Sequence, residues 1–225
     1  MKRAALGVRM HSGWGVLVAV TGDAESIEII GRRRMVTIDR SIPGATQPYH
    51  YAVSLGLGES ENYLGNCAEN SERLASAAVS NVIKELHGRD YRVVGCAILL
   101  ASGRPLPSLA NILVSHPLIH TAEGEFFRDG VRRACHRLEI SVTGIRERDL
   151  DEQAKATLGN AANRMQRAIS SLGRSIGPPW TKDHKGAALA AFIILAGEQN
   201  LLPKALRTAD RWAEQGKVKH AIRHL

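Results

Sequence analysis

The stretch Ala5 to Val20, ALGVRMHSGWGVLVAV, decides the reading of the whole chain. Leu6 to Val8 and Trp14 to Val20 are apolar and rich in β-branched residues, and Met10-His11-Ser12-Gly13 between them is turn-forming. Two antiparallel strands follow. Working outward, Thr21-Gly22-Asp23 turns the chain into a third strand within Ser26 to Ile38, where Ile27, Ile29, Met35, Val36 and Ile38 surround the basic run Arg32-Arg33-Arg34. Residues 39–58 hold Pro43, Gly44, Pro48, Gly56 and Gly58 without sustained periodicity, a long loop of the kind that often carries function, with His50 and Tyr51 inside it.

From Ser60 to His87 the apolar positions Leu64, Cys67, Leu74, Ala78, Val82 and Leu86 recur at helical spacing, and Gly88 stands where a helix-ending glycine belongs. Tyr91 to Ala101, YRVVGCAILLA, is almost continuously apolar, as expected of a strand buried on both faces of a sheet. Ser108 to Cys135 reads as helix broken around Pro117 and again near Gly124, and Ile140 to Ile145 as a short fifth strand. Arg148 to Leu172 and Thr181 to Ala196 are helical stretches separated by Gly177-Pro178-Pro179, and Lys204 to Leu225 forms a basic helical tail. The expected organisation is one α/β domain over residues 1–200 and a tail over 201–225.

Thirty Lys and Arg against 22 Asp and Glu give a formal charge of +8, which favours a polyanionic partner such as nucleic acid over an acidic one. Met1-Lys2-Arg3 leads into an apolar run interrupted at Gly7, Arg9 and His11, a poor secretory signal. Gly186 to Gly197, the longest apolar stretch, is well short of the ~20 residues that cross a bilayer. No membrane span and a cytoplasmic location are expected. Cys67, Cys96 and Cys135 form no C-x-x-C pair and are odd in number, so they read as small core residues or inert thiols in a reducing compartment.

The element order βββαβαβα, with further helices at the C-terminal end, fits few mixed sheets. It resembles the ribonuclease H-like superfamily over roughly residues 3–197. The opening ALGVRMHSGWGVLVAV is similar to the first strands of the Holliday-junction resolvase branch, and Trp180 to Ala196, WTKDHKGAALAAFIILA, is similar to its last helix, with an acid ahead of an alanine-rich face. The resemblance implies a nuclease whose carboxylates, from the first strand, the end of the fourth strand and the last helix, hold two Mg²⁺ or Mn²⁺ ions. Here Arg9 stands near the first of these places, Leu99-Leu100-Ala101-Ser102 ends the fourth strand without an acid, and Asp183 alone matches. A cation at the first place repels a divalent metal.

Other side chains able to do chemistry cluster in Ser115 to Glu125, SHPLIHTAEGE. His116 and His120 are four apart and His120 and Glu123 three apart, so one helix would let them share a metal, with Pro117 against that premise and capping as the plain alternative. Glu123 and Glu125 are candidate replacements for the missing acids, unless they serve the dipole of the helix that follows. Arg9, His11 and Arg104 are expected to converge as an anion site, with Lys182 and Lys185 as further phosphate contacts. Arg9 paired with Glu123 or Asp183 is the structural alternative. Three functions remain: a divergent metal-dependent nuclease using Glu123, Glu125 and Asp183; a non-catalytic nucleic-acid or anion-binding module; and a hydrolase or transferase of a small anionic molecule, held in a pocket lined by His11, His120 and Glu123.

Overall fold

The computed structural model describes residues 1–23, 25–101 and 105–201. β1 (Lys2–His11), β2 (Trp14–Gly22) and β3 (Ile27–Val36) form an antiparallel meander, and Gly13, at φ +76°, makes the first turn in a conformation that glycine adopts without a side-chain clash. β4 (Tyr91–Leu100) pairs parallel to β1, and β5 (Val142–Arg146) parallel to β4. The resulting five-stranded sheet has the order β3-β2-β1-β4-β5, the mixed ribonuclease H-like arrangement expected from the order of elements. β2, β1 and β4 lie inside the sheet, and β4 reads as an almost continuous apolar run because both of its faces are covered.

Alternation along β1 sorts its side chains onto two cores. Ala4, Leu6, Val8 and Met10 face α2 (Leu57–Gly88) and α4 (His116–Arg137), packing with Val79, Leu86, Phe126 and Phe127. Ala5 faces the opposite layer, built from α5 (Leu150–Leu158), α6 (Ala162–Ser171) and α8 (Lys182–Leu201), whose Ala187, Ala188, Ala190 and Ala191 are all buried. Small side chains there let the helix approach the strand closely. A Cβ on Gly7 would collide with the carbonyl oxygen of Ala187, lying 2.8 Å from its carbonyl carbon and 3.1 Å from the Cβ of Ala191. Cys67, Cys96 and Cys135 are free and buried, as core residues.

Two helical expectations are corrected. The 39–58 segment is not wholly irregular, for it holds the short helix α1 (Pro48–Ala52). The Ser108 to Cys135 stretch breaks once, at Val114-Ser115 between α3 (Leu109–Leu113) and α4, just ahead of Pro117 as expected, and not near Gly124. Pro117 sits in the first turn of α4, where its missing N–H has no intrahelical partner to lose. Gly124 continues the helix and leaves room for Arg128, whose Nη1 would lie 2.9 Å from a Cβ there.

Ahead of α8, α7 (Gly173–Ile176) leads into a proline turn held by the edge strand β3. Arg32 of β3 donates Nη1 to the carbonyls of Gly177 and Pro179 at 2.7 and 2.8 Å, and Nη2 to that of Ile176 at 2.8 Å. Among the described residues no helix is long and apolar enough to cross a membrane. The expected anion-site residue Arg104 and the basic tail from Lys204 lie outside the described residues.

Candidate functional site

The alternation that turns Ala5 and Gly7 toward α8 also turns Arg9 and His11 that way. Arg9 lies one residue beyond the last pair β1 makes with β4, Val8 with Ile98, so its side chain leaves the sheet at the carboxyl edge. Glu147 begins the 3-10 turn directly after β5, and Asp183 is in the first turn of α8. The three meet there. Arg9 donates Nε to Oε1 of Glu147 at 2.9 Å and Nη2 to Oε2 at 3.0 Å, a two-pronged pair, while Nη1 reaches Oδ1 of Asp183. His11 donates Nε2 to Oδ2 of Asp183 at 2.9 Å, since a carboxylate only accepts.

Electrostatics reinforce this arrangement. Burial alone would push the Asp183 carboxyl up, but the His11 hydrogen bond and the Arg9 charge outweigh it and hold the group below the ordinary carboxylate range. The hydrogen bonds to Glu147 push the Arg9 guanidinium above its ordinary value. A carboxyl whose pKa is lower in the folded chain than in the unfolded one stabilises the fold fully above its unfolded value, and that stabilisation is lost as pH falls through the folded one. Asp183→Asn is therefore expected to flatten the acid limb of the stability curve, read as urea midpoints between about pH 6 and pH 2. An acid limb as steep as that of the wild type would remove Asp183 from the linkage.

The expected carboxylates Glu123 and Glu125 are engaged elsewhere. Buried Glu123 accepts from the backbone N–H groups of Tyr49 and His50 at 3.1 Å and from Nδ1 of His50 at 3.0 Å, all at Oε1. Glu125 lies 3.3 Å from Nη1 of Arg128, whose Nε donates to the carbonyl of Leu99 in β4 at 3.0 Å. Burial pulls the Arg128 guanidinium down, while Glu125 and Glu147 oppose it. Each of Glu123, Glu125 and Asp183 thus faces a different basic partner. Arg9 pairs with Asp183, one of its two expected structural partners, and with Glu147 in place of Glu123.

The Mg²⁺ or Mn²⁺ pair of the ribonuclease H-like nucleases does not fit these residues. A guanidinium stands between Glu147 and Asp183, using the oxygens that a hard cation needs as ligands. Histidines form a separate group: the ligand atoms of His50, His116 and His120 lie within 4.8 Å of one another.

Two hollows meet at Arg9, Glu147 and Arg148. One, of about 550 Å³, adds His11, His120, Glu123 and Arg128; the other, of about 520 Å³, adds Lys182, Lys185 and Gln166. Lys182 and Lys185 have no acidic partner among the described residues. A third hollow of about 340 Å³ adjoins Asp183 and is lined by Trp14 and Arg34. The Trp14 ring stacks on His11 at 4.4 Å, and the Arg34 guanidinium is 4.1 Å from its centroid.

No family model and no curated protein matches the chain. Among solved structures it is similar to Thermus thermophilus RuvC in complex with Holliday junction substrate, at 11% identity over 88% of this chain and 96% of that one, with a TM-score of 0.49. It is similar also to a second Thermus thermophilus RuvC structure, at 9% identity over 88% and 97% of the two chains, again with a TM-score of 0.49. A Ppx/GppA family member of Aquifex aeolicus matches at 11% identity over 71% of this chain and 40% of that one, with a TM-score of 0.33. Sheet order and strand sense, not these likenesses, define the architecture.

Glu147, Arg128 and His50 were not singled out as site residues from sequence. Glu147 had one signal, an acid at the carboxyl tip of an expected strand, where open α/β sheets place ligands. His50 lies in the segment read as a functional loop, but its partner Glu123 is 73 residues away, and Arg128 bonds both within its own helix, to Glu125, and to the Leu99 carbonyl in β4.

Proposed function

We propose that this chain is a nucleic-acid-binding module of ribonuclease H-like fold that does not cut by the two-metal mechanism. The carrying observation is the pair of hollows joined at Arg9 and Arg148 and lined by Lys182 and Lys185, cations without acidic partners among the described residues. Together they offer a backbone-tracking path of the kind phosphates occupy, and the formal charge of +8 steers a polyanion toward it. The Arg9 bridge supports the non-cleaving half, because it uses the carboxylates that would otherwise hold metal.

Fluorescence anisotropy with labelled junction DNA, duplex DNA and single-stranded RNA tests the reading. Affinity should fall steeply with salt, by about 0.9 log units per contacted phosphate for each log unit of salt on duplex. Lys182→Glu combined with Lys185→Glu should weaken binding to every sequence and reduce the salt slope by about 2. Salt-independent affinity, or none at low salt, removes the binding reading. Strand cleavage that appears on adding Mg²⁺ removes the non-cleaving half.

A second reading has its own observation: His11, His120 and Glu123 do line one hollow, together with Arg9 and Arg128. A small anionic molecule bound there would be hydrolysed or transferred without an extended groove. Inorganic phosphate that competes with nucleic acid only at Arg9 and Arg128, and not at Lys182 and Lys185, would favour it.

A further inference from the structure

His50, His116 and His120 come from two separate elements, α1 and the first turns of α4, yet their ring centroids lie 4.5 to 5.6 Å apart. Their planes meet edge to face, at 61° to 88°, so the rings do not stack. Packing does not explain the group, since His116 and His120 are exposed. Nor does hydrogen bonding: among the described residues neither ring has a hydrogen-bond or ion-pair partner. The three rings bring one ligand nitrogen each into a common space, the arrangement in which imidazoles share a metal ion.

His50 is prepared for such a role. Its Nδ1 donates to buried Glu123, which also holds the backbone N–H groups of Tyr49 and His50, so ring and backbone are fixed together. With the proton on Nδ1, the lone pair is on Nε2. A carboxylate behind an imidazole in this way fixes its tautomer and raises its basicity as a ligand.

We propose that His50, His116 and His120 bind one borderline divalent transition metal, of which Zn²⁺ is the best match, with Glu123 acting as a positioning residue and not as a ligand. Imidazole nitrogens suit Zn²⁺, Co²⁺ and Ni²⁺ and not Mg²⁺ or Mn²⁺. Tetrahedral Zn²⁺ at about 2.0–2.1 Å from nitrogen needs ligand atoms roughly 3.4 Å apart, and rotation of the two exposed rings closes the gap from 4.8 Å. Three histidines leave a fourth position for water or an anion, and His120 lines the hollow that also holds Arg9 and Arg128. The site is separate from the Arg9 bridge and does not rest on the nucleic-acid reading.

The test loads the chelator-treated full chain with Zn²⁺ and with Co²⁺. One equivalent of Zn²⁺ is expected by titration calorimetry, and Co²⁺ should give the intense visible bands of tetrahedral coordination, unchanged by excess Mg²⁺. His50→Ala and His120→Ala should each abolish the bands while circular dichroism stays native, and His136→Ala, an exposed histidine near the end of α4, should leave them intact. Glu123→Gln should keep the one-to-one stoichiometry but bind about 10- to 100-fold more weakly. The same uptake by wild type and by the chain lacking all three imidazoles overturns the proposal, as does a wild type that takes up no Zn²⁺. Full-strength binding in Glu123→Gln overturns the positioning role.

Discussion

Arg9→Ala should lower stability by about 3 kcal/mol, a fall in Tm of roughly 10 °C for a chain of this size. Removing one partner of a largely buried ionic group costs more than the group contributes, because the carboxylates left behind are desolvated without compensation. Arg9 and Asp183 keep only about a fifth of their side-chain surface exposed, at 21% and 19%, while Glu147 keeps 34%, which places the loss at the low end for buried pairs. Arg9→Lys keeps the charge but cannot span both oxygens of Glu147, so it should recover only part of the loss. Arg9→Asp is the sharper experiment. It puts a third carboxylate beside Asp183 and Glu147, and its melting point should rise with added Mg²⁺ while that of the wild type does not. Unchanged melting of Arg9→Ala, or no Mg²⁺ response in a folded Arg9→Asp, would show that the bridge does not govern this corner of the molecule.

Gly7→Ala is expected to be at least as damaging, about 3 kcal/mol, through a different cause. Its new methyl group would meet backbone, the Ala187 carbonyl, and backbone does not rotate aside as a flexible side chain would. Either β1 or α8 must move, and α8 carries Asp183. The substitution should therefore uncouple the site as well as loosen the core: chemical denaturation would give a lower midpoint, and the acid limb assigned to Asp183 would flatten in the same variant. A stable Gly7→Ala protein would mean that helix and strand are not packed as closely as described.

Much of the sheet was legible because strand alternation and the buried run from Tyr91 are local signals. The same alternation puts Arg9 and His11 on one face, and the acid before an alanine-rich helix makes Asp183 visible. Glu147 was hidden because its partner Arg9 is 138 residues away, a distance no spacing rule spans. The histidine group was half visible. His116 and His120 show a helical interval, but Pro117 pointed to a break, and only its place in the first turn keeps the interval intact. His50 sat in a segment without periodicity, since a five-residue helix is too short to display any. Glu123, read as a metal ligand or catalytic acid, accepts a hydrogen bond from His50, a contact 73 residues apart that no local spacing displays.

The late position of α8 also bears on how the chain is made. When β4 has left the ribosome, the face formed by Val16, Val18, Val20, Ala97 and Leu99 still lacks its main cover, which arrives only with Ala187 to Leu195. At ordinary synthesis rates of about 5–20 residues per second, that apolar face waits several seconds for its helix. In the folded chain Arg32 of β3 holds the carbonyls of Ile176, Gly177 and Pro179 just ahead of α8. A nascent chain stalled before this turn would be the form most exposed to chaperones and to aggregation.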